Sequence, residues 1–170
     1  KQRRREFRRD TGGVQDHRIR GLVLMAPHFF TEAMGLEGIR RTVTAFATTD
    51  LRARLARHHG DNVDSAFQGW SQAWLDPDFR AWDIRAYLAT IRVPILLVQG
   101  RDDQYGTLAQ VDAASAGTMC PLETLLLDDC GHAPHHEAAD ACLAGIASFI
   151  ERLIAIDSVP GPPPMRSEQT

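Results

Sequence analysis

The sequence predicts an α/β fold, with three parallel strands, flanking helices and an inserted helical cap. Three short, nearly continuous apolar runs predict the strands, at Ile19–Ala26, Val93–Val98 and Leu122–Leu127. Runs of this kind are typical of strands that are buried on both faces. Helical stretches separate the three runs, which indicates crossover connections and therefore parallel pairing.

The segments between the strands follow a helical period of apolar residues. From Thr31 to Thr90 this period predicts several helices, which form the cap. Two more helices are predicted, from Thr107 to Ala116 and from Pro134 to Ile154. The inner face of the last helix should consist of Ala138, Cys142, Ile146, Phe149, Ile150 and Leu153.

The two ends of the chain differ in composition from the middle. Residues 1–18 begin with six basic side chains in the first ten positions, and no aromatic or glycine-rich motif accompanies them. We therefore expect a disordered leader there and not a nucleic-acid-binding arm. Residues 157–170 are rich in proline and should form a disordered tail. Residues 19–156 are expected to form one partial domain, with the cap at about 29–90.

The composition is that of a globular protein. Of the 170 residues, 44% are hydrophobic and 24% are charged, and the formal net charge is −3, which creates no field that would attract nucleic acid. No apolar run reaches the roughly 18 residues that a membrane span needs. The three cysteines, Cys120, Cys130 and Cys142, match no zinc or redox pattern. We therefore expect reduced thiols in a cytoplasmic protein.

Polar residues follow each predicted strand. In open parallel sheets, catalytic groups lie just beyond the carboxyl ends of the strands. His28 follows the first run, Asp103 the second and His132 the third, with 29 positions between Asp103 and His132. Neighbouring strands lie about 5 Å apart, so the Asp103 carboxylate could accept a hydrogen bond from His132. Such a carboxylate orients an imidazole that acts as a general base.

Two segments resemble the α/β-hydrolase family. Residues 93–103, VPILLVQGRDD, are similar to the strand that bears the family's acid, three positions after a glycine. Residues 129–137, DCGHAPHHE, are similar to its histidine loop. The resemblance implies that Asp103 is the acid, that Asp102 is its non-catalytic neighbour, and that His132 is the general base. The order of acid and histidine along the chain agrees with the family. The resemblance also implies the C-terminal part of this fold, with the helices of about 29–90 in the position of the family's cap.

The family's nucleophile is missing from the sequence. No G-x-S-x-G motif occurs, and the nearest string, GWSQA at 69–73, lies in a predicted cap helix. Ser71 is therefore not predicted to be the nucleophile. The resemblance implies hydrolysis of a small ester or similar carbonyl substrate, or of a C–C bond, through a nucleophile–His–Asp triad. We expect this chain to be a fragment that lacks the nucleophile and is nearly inactive alone.

Aromatic residues suggest where a small-molecule substrate would bind. His28 and Phe29 follow a strand end and Trp70 and Trp74 lie on the cap, so all four are candidate substrate-binding residues, although aromatic residues at helical spacing often form only a cap core. A metal site is not predicted, because the histidines beside Glu137 lack the spacing of known zinc motifs. No cofactor is expected.

Two other interpretations of the same fold remain open. One is a non-catalytic remnant or binding module, and the other is a protein whose nucleophile half comes from another chain. The sequence does not indicate the oligomeric state.

Overall fold

The three predicted strands form one parallel sheet in the computed structural model, which describes residues 18–157. The strands are β1 (Leu22–Met25), β2 (Ile95–Gly100) and β3 (Leu122–Leu127), in the order β1-β2-β3. Both pairs are parallel. The predicted α/β class is therefore confirmed. The predicted leader and tail fall almost entirely on residues 1–17 and 158–170, which lie outside the described residues.

Six α-helices accompany the sheet within residues 18–157. Three form the cap between β1 and β2, with one 3₁₀ turn between the second and third of them and two more after the third. One helix lies between β2 and β3, and two follow β3. They are α1 (Ala33–Thr48), α2 (Leu51–His59), α3 (Val63–Leu75), α4 (Leu108–Gly117), α5 (Pro134–Glu137) and α6 (Ala139–Asp157). None of them is long and apolar enough to cross a membrane.

The core lies on both faces of β2, whose side chains are all buried. On one face, Leu96 and Val98 pack against Phe149 and Cys142 of α6. On the other, Leu97 packs with residues of α4 and of the segment that leads out of the cap. Burying each large apolar side chain stabilises the fold by about 1.5–3 kcal/mol, so the strand that ends near Asp103 is the most firmly held part of the sheet.

The first strand is shorter and less buried than the sequence predicts. It covers Leu22–Met25, not Ile19–Ala26, and Val23 and Met25 are both more than a third exposed. The physical reason is its position at the edge of the sheet. Within residues 18–157 only β2 pairs with it, and the packing of α6 leaves the side chains of Val23 and Met25 partly exposed.

The predicted last helix is interrupted. The short α5 ends at Glu137, Ala138 has a non-helical backbone, and α6 begins at Ala139. Just before the break, the Glu137 carboxylate accepts hydrogen bonds from backbone N–H groups of the preceding loop. Ile150 was expected on the inner face, but it is nearly half exposed.

Candidate acid–base site

Asp103 and His132 are within hydrogen-bonding distance of each other. Nδ1 of His132 lies 2.9 Å from one carboxylate oxygen of Asp103 and 3.1 Å from the other. The Asp103 side chain is 1% exposed and the His132 side chain 35% exposed. Because a carboxylate only accepts, Nδ1 carries the proton and Nε2 is the basic nitrogen. No hydrogen bond from residues 18–157 reaches Nε2.

A glycine brings the two loops together. A Cβ atom on Gly100, at the end of β2, would lie 2.2 Å from the carbonyl oxygen of Cys130 and 2.3 Å from that of Gly131. Real side chains do not tolerate such distances, so only glycine fits here. The backbone N–H of Asp102 then donates to the Cys130 carbonyl at 2.9 Å. The loop that carries His132 is therefore fastened to the loop that carries Asp103.

The Asp103 carboxylate accepts several other hydrogen bonds. The backbone N–H groups of Tyr105 and Gly106 donate to Oδ1 at 2.8 and 3.2 Å, and Nε2 of Gln99 donates to Oδ2 at 2.8 Å. Burial raises the pKa of Asp103, but the hydrogen bonds from His132, Tyr105 and Gln99 outweigh it and hold the pKa below its usual value. The carboxylate is therefore ionised at neutral pH despite its burial.

Glu137 shapes the histidine loop. Its two carboxylate oxygens accept the backbone N–H groups of Gly131 at 2.7 Å and Ala133 at 2.9 Å, on either side of His132. Both oxygens of the Glu137 carboxylate are thus engaged in hydrogen bonds that stabilise the histidine loop. The neighbouring His135 and His136 rings contact each other, with centroids 4.3 Å apart. Within residues 18–157 no group of three or more metal-binding side chains comes close enough to hold an ion.

His132 lines a cavity of about 300 Å³ between the sheet and the cap. His28, Trp70 and Trp74 line it too, as do apolar residues of α1. Three of the four predicted substrate-binding residues therefore lie around one space. Phe29 does not. It is buried in the core beside Leu97, because its own backbone N–H is tied to Gln110 of α4 at 2.7 Å.

His28 is the second imidazole of the cavity. Its ring centroid lies 5.6 Å from that of His132 and 5.2 Å from that of Trp74. Burial lowers the pKa of His28, and the nearby His132 lowers it further, while Asp103 and Glu32 partly oppose the shift. His28 is therefore held in its neutral form, as a hydrogen-bonding group and not as a charge.

The cap is in close backbone contact with the loop that carries Asp103, which we call the acid loop. Cβ atoms on Gly35 and Gly38 of α1 would lie 2.2 Å from the carbonyl oxygen of Tyr105 and 2.5 Å from that of Gln104. The Tyr105 hydroxyl bonds the Thr42 hydroxyl at 2.6 Å, and its ring meets the His132 ring edge-on at 5.0 Å. Tyr105 thus contacts both the cap and His132.

A second link joins the cap to α4. The Glu32 carboxylate accepts from the backbone N–H of Thr107 at 3.0 Å and from its hydroxyl at 2.6 Å. Gln110, fully buried, donates to Glu32 at 2.7 Å. Sequence reasoning missed Glu32, Tyr105, Gln99 and Gln110. The signal was available for the two glutamines, because a polar residue inside an otherwise apolar segment needs a buried partner.

The described part of the chain places no free nucleophile beside Nε2 of His132. Ser71 is buried on α3 and lines a different space between α1 and α3. Burial raises the pKa of the Cys130 thiol, so it stays protonated, and its side chain is fully buried. The Thr31 hydroxyl, which does line the cavity, donates to the Phe79 carbonyl at 3.1 Å.

Comparison with known proteins identifies the fold. No protein-family model matches the chain, and no curated protein sequence matches it. Solved structures do match. A meta-cleavage product hydrolase from Pseudomonas fluorescens IP01 is 20% identical with a TM-score of 0.59, over 79% of this chain and 57% of that one. A serine hydrolase involved in carbazole degradation is 18% identical with a TM-score of 0.57, over 79% and 55%.

An α/β-hydrolase from a deep-sea metagenome library is 15% identical with a TM-score of 0.52, over 78% and 56%. The chain therefore spans a little over half the length of the structures that it matches. Likeness at this level of identity concerns the fold. Residues 18–157 have the architecture of one part of the α/β-hydrolase fold.

Proposed function

We propose that this chain carries the acid–base part of a nucleophile–His–Asp triad that hydrolyses a small ester or similar carbonyl substrate. The observation that supports it most directly is the pairing of a buried, ionised Asp103 with a His132 that lines a largely apolar cavity. Each partner follows a neighbouring strand of a fold whose solved members include a meta-cleavage product hydrolase and a serine hydrolase.

Each group has a definite task in this proposal. Nε2 of His132 accepts the proton of a nucleophile hydroxyl as that hydroxyl attacks the substrate carbonyl. The Nδ1–H bond to Asp103 keeps the correct tautomer, and the carboxylate stabilises the imidazolium that forms. His132 then returns the proton to the leaving group. A water molecule, deprotonated by the same nitrogen, finally releases the acyl group.

The nucleophile comes from outside residues 18–157 in this proposal. Neither Ser71 nor Cys130 can serve, because each is buried and neither lines the cavity of His132. Loss of a triad nucleophile removes most of the rate, so we propose that the chain alone is nearly inactive. A small apolar carbonyl compound suits the cavity, whose walls are mainly aromatic and aliphatic.

The slow hydrolysis of p-nitrophenyl acetate by the chain alone tests the role of His132, because this activated ester can be cleaved without the triad nucleophile. A basic imidazole held by a carboxylate should cleave this activated ester slowly, and His132→Ala should abolish that reaction. His135→Ala is the matched control, because His135 lies three residues away on α5 and outside the cavity. Equal rates for the two variants would contradict the proposal.

A fluorophosphonate probe tests the proposed absence of a nucleophile. We expect no labelling of the purified chain. Labelling that depends on His132 would mean that this chain contains its own nucleophile, and the fragment part of the proposal would fail while the acid–base role would stand.

A binding module is the second candidate. The observation that favours it is that both cavity hydroxyls within the described residues, those of Thr31 and Tyr105, are engaged by other groups. This alternative would be supported if a small ester binds the cavity but the unmodified chain hydrolyses it no faster than the His132→Ala variant does.

A further inference from the structure

Five aromatic rings line the cavity beside the acid–base pair, and each contacts the next. In order they are Trp70, Tyr105, His132, His28 and Trp74. The ring centroids of neighbours in this series lie between 5.0 and 6.2 Å apart. The two tryptophans lie four positions apart on α3, which places them on one face of that helix. We call these five residues the aromatic wall, since together they form a continuous series of rings along one cavity.

Glu32 brings a carboxylate into the same cavity. The side chain is half-buried and lines the space beside the aromatic wall. Its three hydrogen-bond donors, two from Thr107 and one from Gln110, are all uncharged. Within residues 18–157 no arginine or histidine forms an ion pair with Glu32. A carboxylate has about four lone-pair positions, so one position stays open to a ligand and no protein cation offsets the charge.

The cavity has no fixed positive charge to balance this carboxylate. Among residues 18–157, no arginine or lysine lines it, and Arg40 and Arg80 line a separate hollow. Burial lowers the pKa of His28, so this imidazole is neutral at neutral pH. His132 is paired with the ionised Asp103, and that pair carries no net positive charge whether or not the imidazole is protonated. The charge missing from the cavity is therefore a positive one.

We propose that this cavity binds an ammonium group, and that the substrate of the proposed function is a small carbonyl compound that carries one. Aromatic faces attract cations, and the indole of tryptophan does so most strongly. An alkylated ammonium suits the site best, because its methyl groups match the largely apolar walls while its charge meets the rings and Glu32. An anionic substrate would be repelled by the same carboxylate.

The ammonium group and the reacting carbonyl fit into one space in this proposal. His132 is itself part of the aromatic wall, and the whole cavity measures about 300 Å³. A cation held at Trp70 and Trp74 therefore needs only a short linker to a carbonyl at His132. His28 lies between His132 and Trp74, and its ring nitrogens have no hydrogen-bond partner within residues 18–157. It can therefore bond a polar atom of that linker.

Binding of choline tests the inference, with its uncharged carbon isostere, dimethylbutanol, as the reference. Both have the same shape, so a difference in affinity reports the charge alone. Calorimetric titration at about pH 8, above the usual histidine pKa, should show choline binding about tenfold more tightly, which corresponds to about 1.4 kcal/mol. Equal affinities, or no binding of either compound, would overturn the proposal.

Variants of the aromatic wall and of the carboxylate locate the site. Trp70→Leu should remove most of the preference for choline, because leucine keeps an apolar surface but has no aromatic face. Trp82→Leu is the matched control, since Trp82 contacts Trp74 but does not line the cavity. Glu32→Gln should also reduce the preference. Circular dichroism verifies folding, and Trp70→Leu decides the matter if Glu32→Gln does not fold. A preference that Trp70→Leu leaves intact would contradict the inference.

The inference rests on the proposed function for its reaction, but the two fail in different ways. Choline has no ester bond, so its binding needs no nucleophile and no turnover. A preference for choline without any effect of His132→Ala on p-nitrophenyl acetate hydrolysis would leave a cation-binding site and remove the acid–base role. Hydrolysis that depends on His132, together with equal affinities for choline and dimethylbutanol, would retain the acid–base role and overturn the substrate class.

Discussion

The carboxyl ends of β2 and β3 differ sharply from the free edge of β1. At the strand ends, the Asp103 carboxylate has three protein donors besides His132, and the Glu137 carboxylate has two. On the free side of β1 no other strand pairs within residues 18–157, and the side chains of Val23 and Met25 are more than a third exposed. The first region is held by many hydrogen bonds within the described residues, although the buried Oε1 of Gln99 has no partner there.

This difference shows which interactions the site depends on. The geometry of Asp103 and His132 is fixed by contacts within β2, β3, their loops and α1. It needs nothing from the free side of β1. The pairing of Asp103 with His132 should therefore persist in this chain whatever covers the β1 edge, and substitutions at the strand ends should cost far more stability than substitutions of the exposed Val23 and Met25.

The largest effect is expected from Gly100→Ala. The new methyl group would collide with two backbone carbonyl oxygens and push the histidine loop from the acid loop. We expect a loss of about 3 kcal/mol in the free energy of unfolding, measured by urea denaturation. A loss as small as that of a typical surface substitution would mean that the two loops are not in close contact.

The next largest effect is expected from Asp103→Asn. The substitution removes the charge and leaves one of the donors now aimed at the carboxylate without an acceptor, so we expect a loss of about 2 kcal/mol. Asp102→Asn is the matched control, since Asp102 is exposed and adjacent. Equal effects of the two substitutions on urea denaturation would contradict the buried network.

A smaller effect is expected from Gly35→Ala, which forces α1 away from the Tyr105 backbone. We expect a loss of about 1–2 kcal/mol. Gly69→Ala on α3 is the control, because nothing lies within 4 Å of its Cβ position, and it should stabilise the helix by about 0.5–1 kcal/mol. Thermal unfolding measures the change in stability for both variants. If Gly35→Ala stabilised the protein as Gly69→Ala should, the cap would not be in close contact with the loop that carries Asp103.

The smallest effect concerns pH. The pKa of His28 is lowered in the folded state, so the unfolded chain binds its proton more readily and stability falls as the pH drops below the usual histidine pKa of about 6.5. The lowered pKa of Asp103 adds a loss in the same direction at more acidic pH. His28→Phe should flatten the pH dependence of the melting temperature near pH 6, and an unchanged pH dependence in this variant would contradict the account.

Much of the fold could be predicted from the sequence. The run at Leu122–Leu127 coincides with β3, and the apolar stripe of α1 includes the buried Leu36 and Ile39. These features depend on local periodicity. The exposure of Val23 depends instead on what lies beside β1, which periodicity cannot reveal. A strand that is buried on both faces and an edge strand with exposed apolar side chains have the same apolar pattern in the sequence.

The site was predictable only in part, for a similar reason. Asp103 and His132 follow strands, so topology alone brings them close. Phe29 was predicted in the cavity but lies in the core, because its direction is set by a bond to Gln110, 81 positions away. The role of Tyr105 likewise depends on Gly35 of a distant helix. Contacts between distant segments leave little trace in a single sequence.

The most direct test of the account is the state of the His132 ring in the isolated chain. Nitrogen-15 NMR distinguishes a proton on Nδ1 from one on Nε2. The account predicts that His132 is mainly protonated on Nδ1 at a pH where it is neutral, and that Asp103→Asn disturbs this preference while Asp102→Asn does not. A mixture of tautomers like that of an exposed histidine, unchanged by Asp103→Asn, would contradict the claim that this chain alone holds the acid–base pair in working geometry.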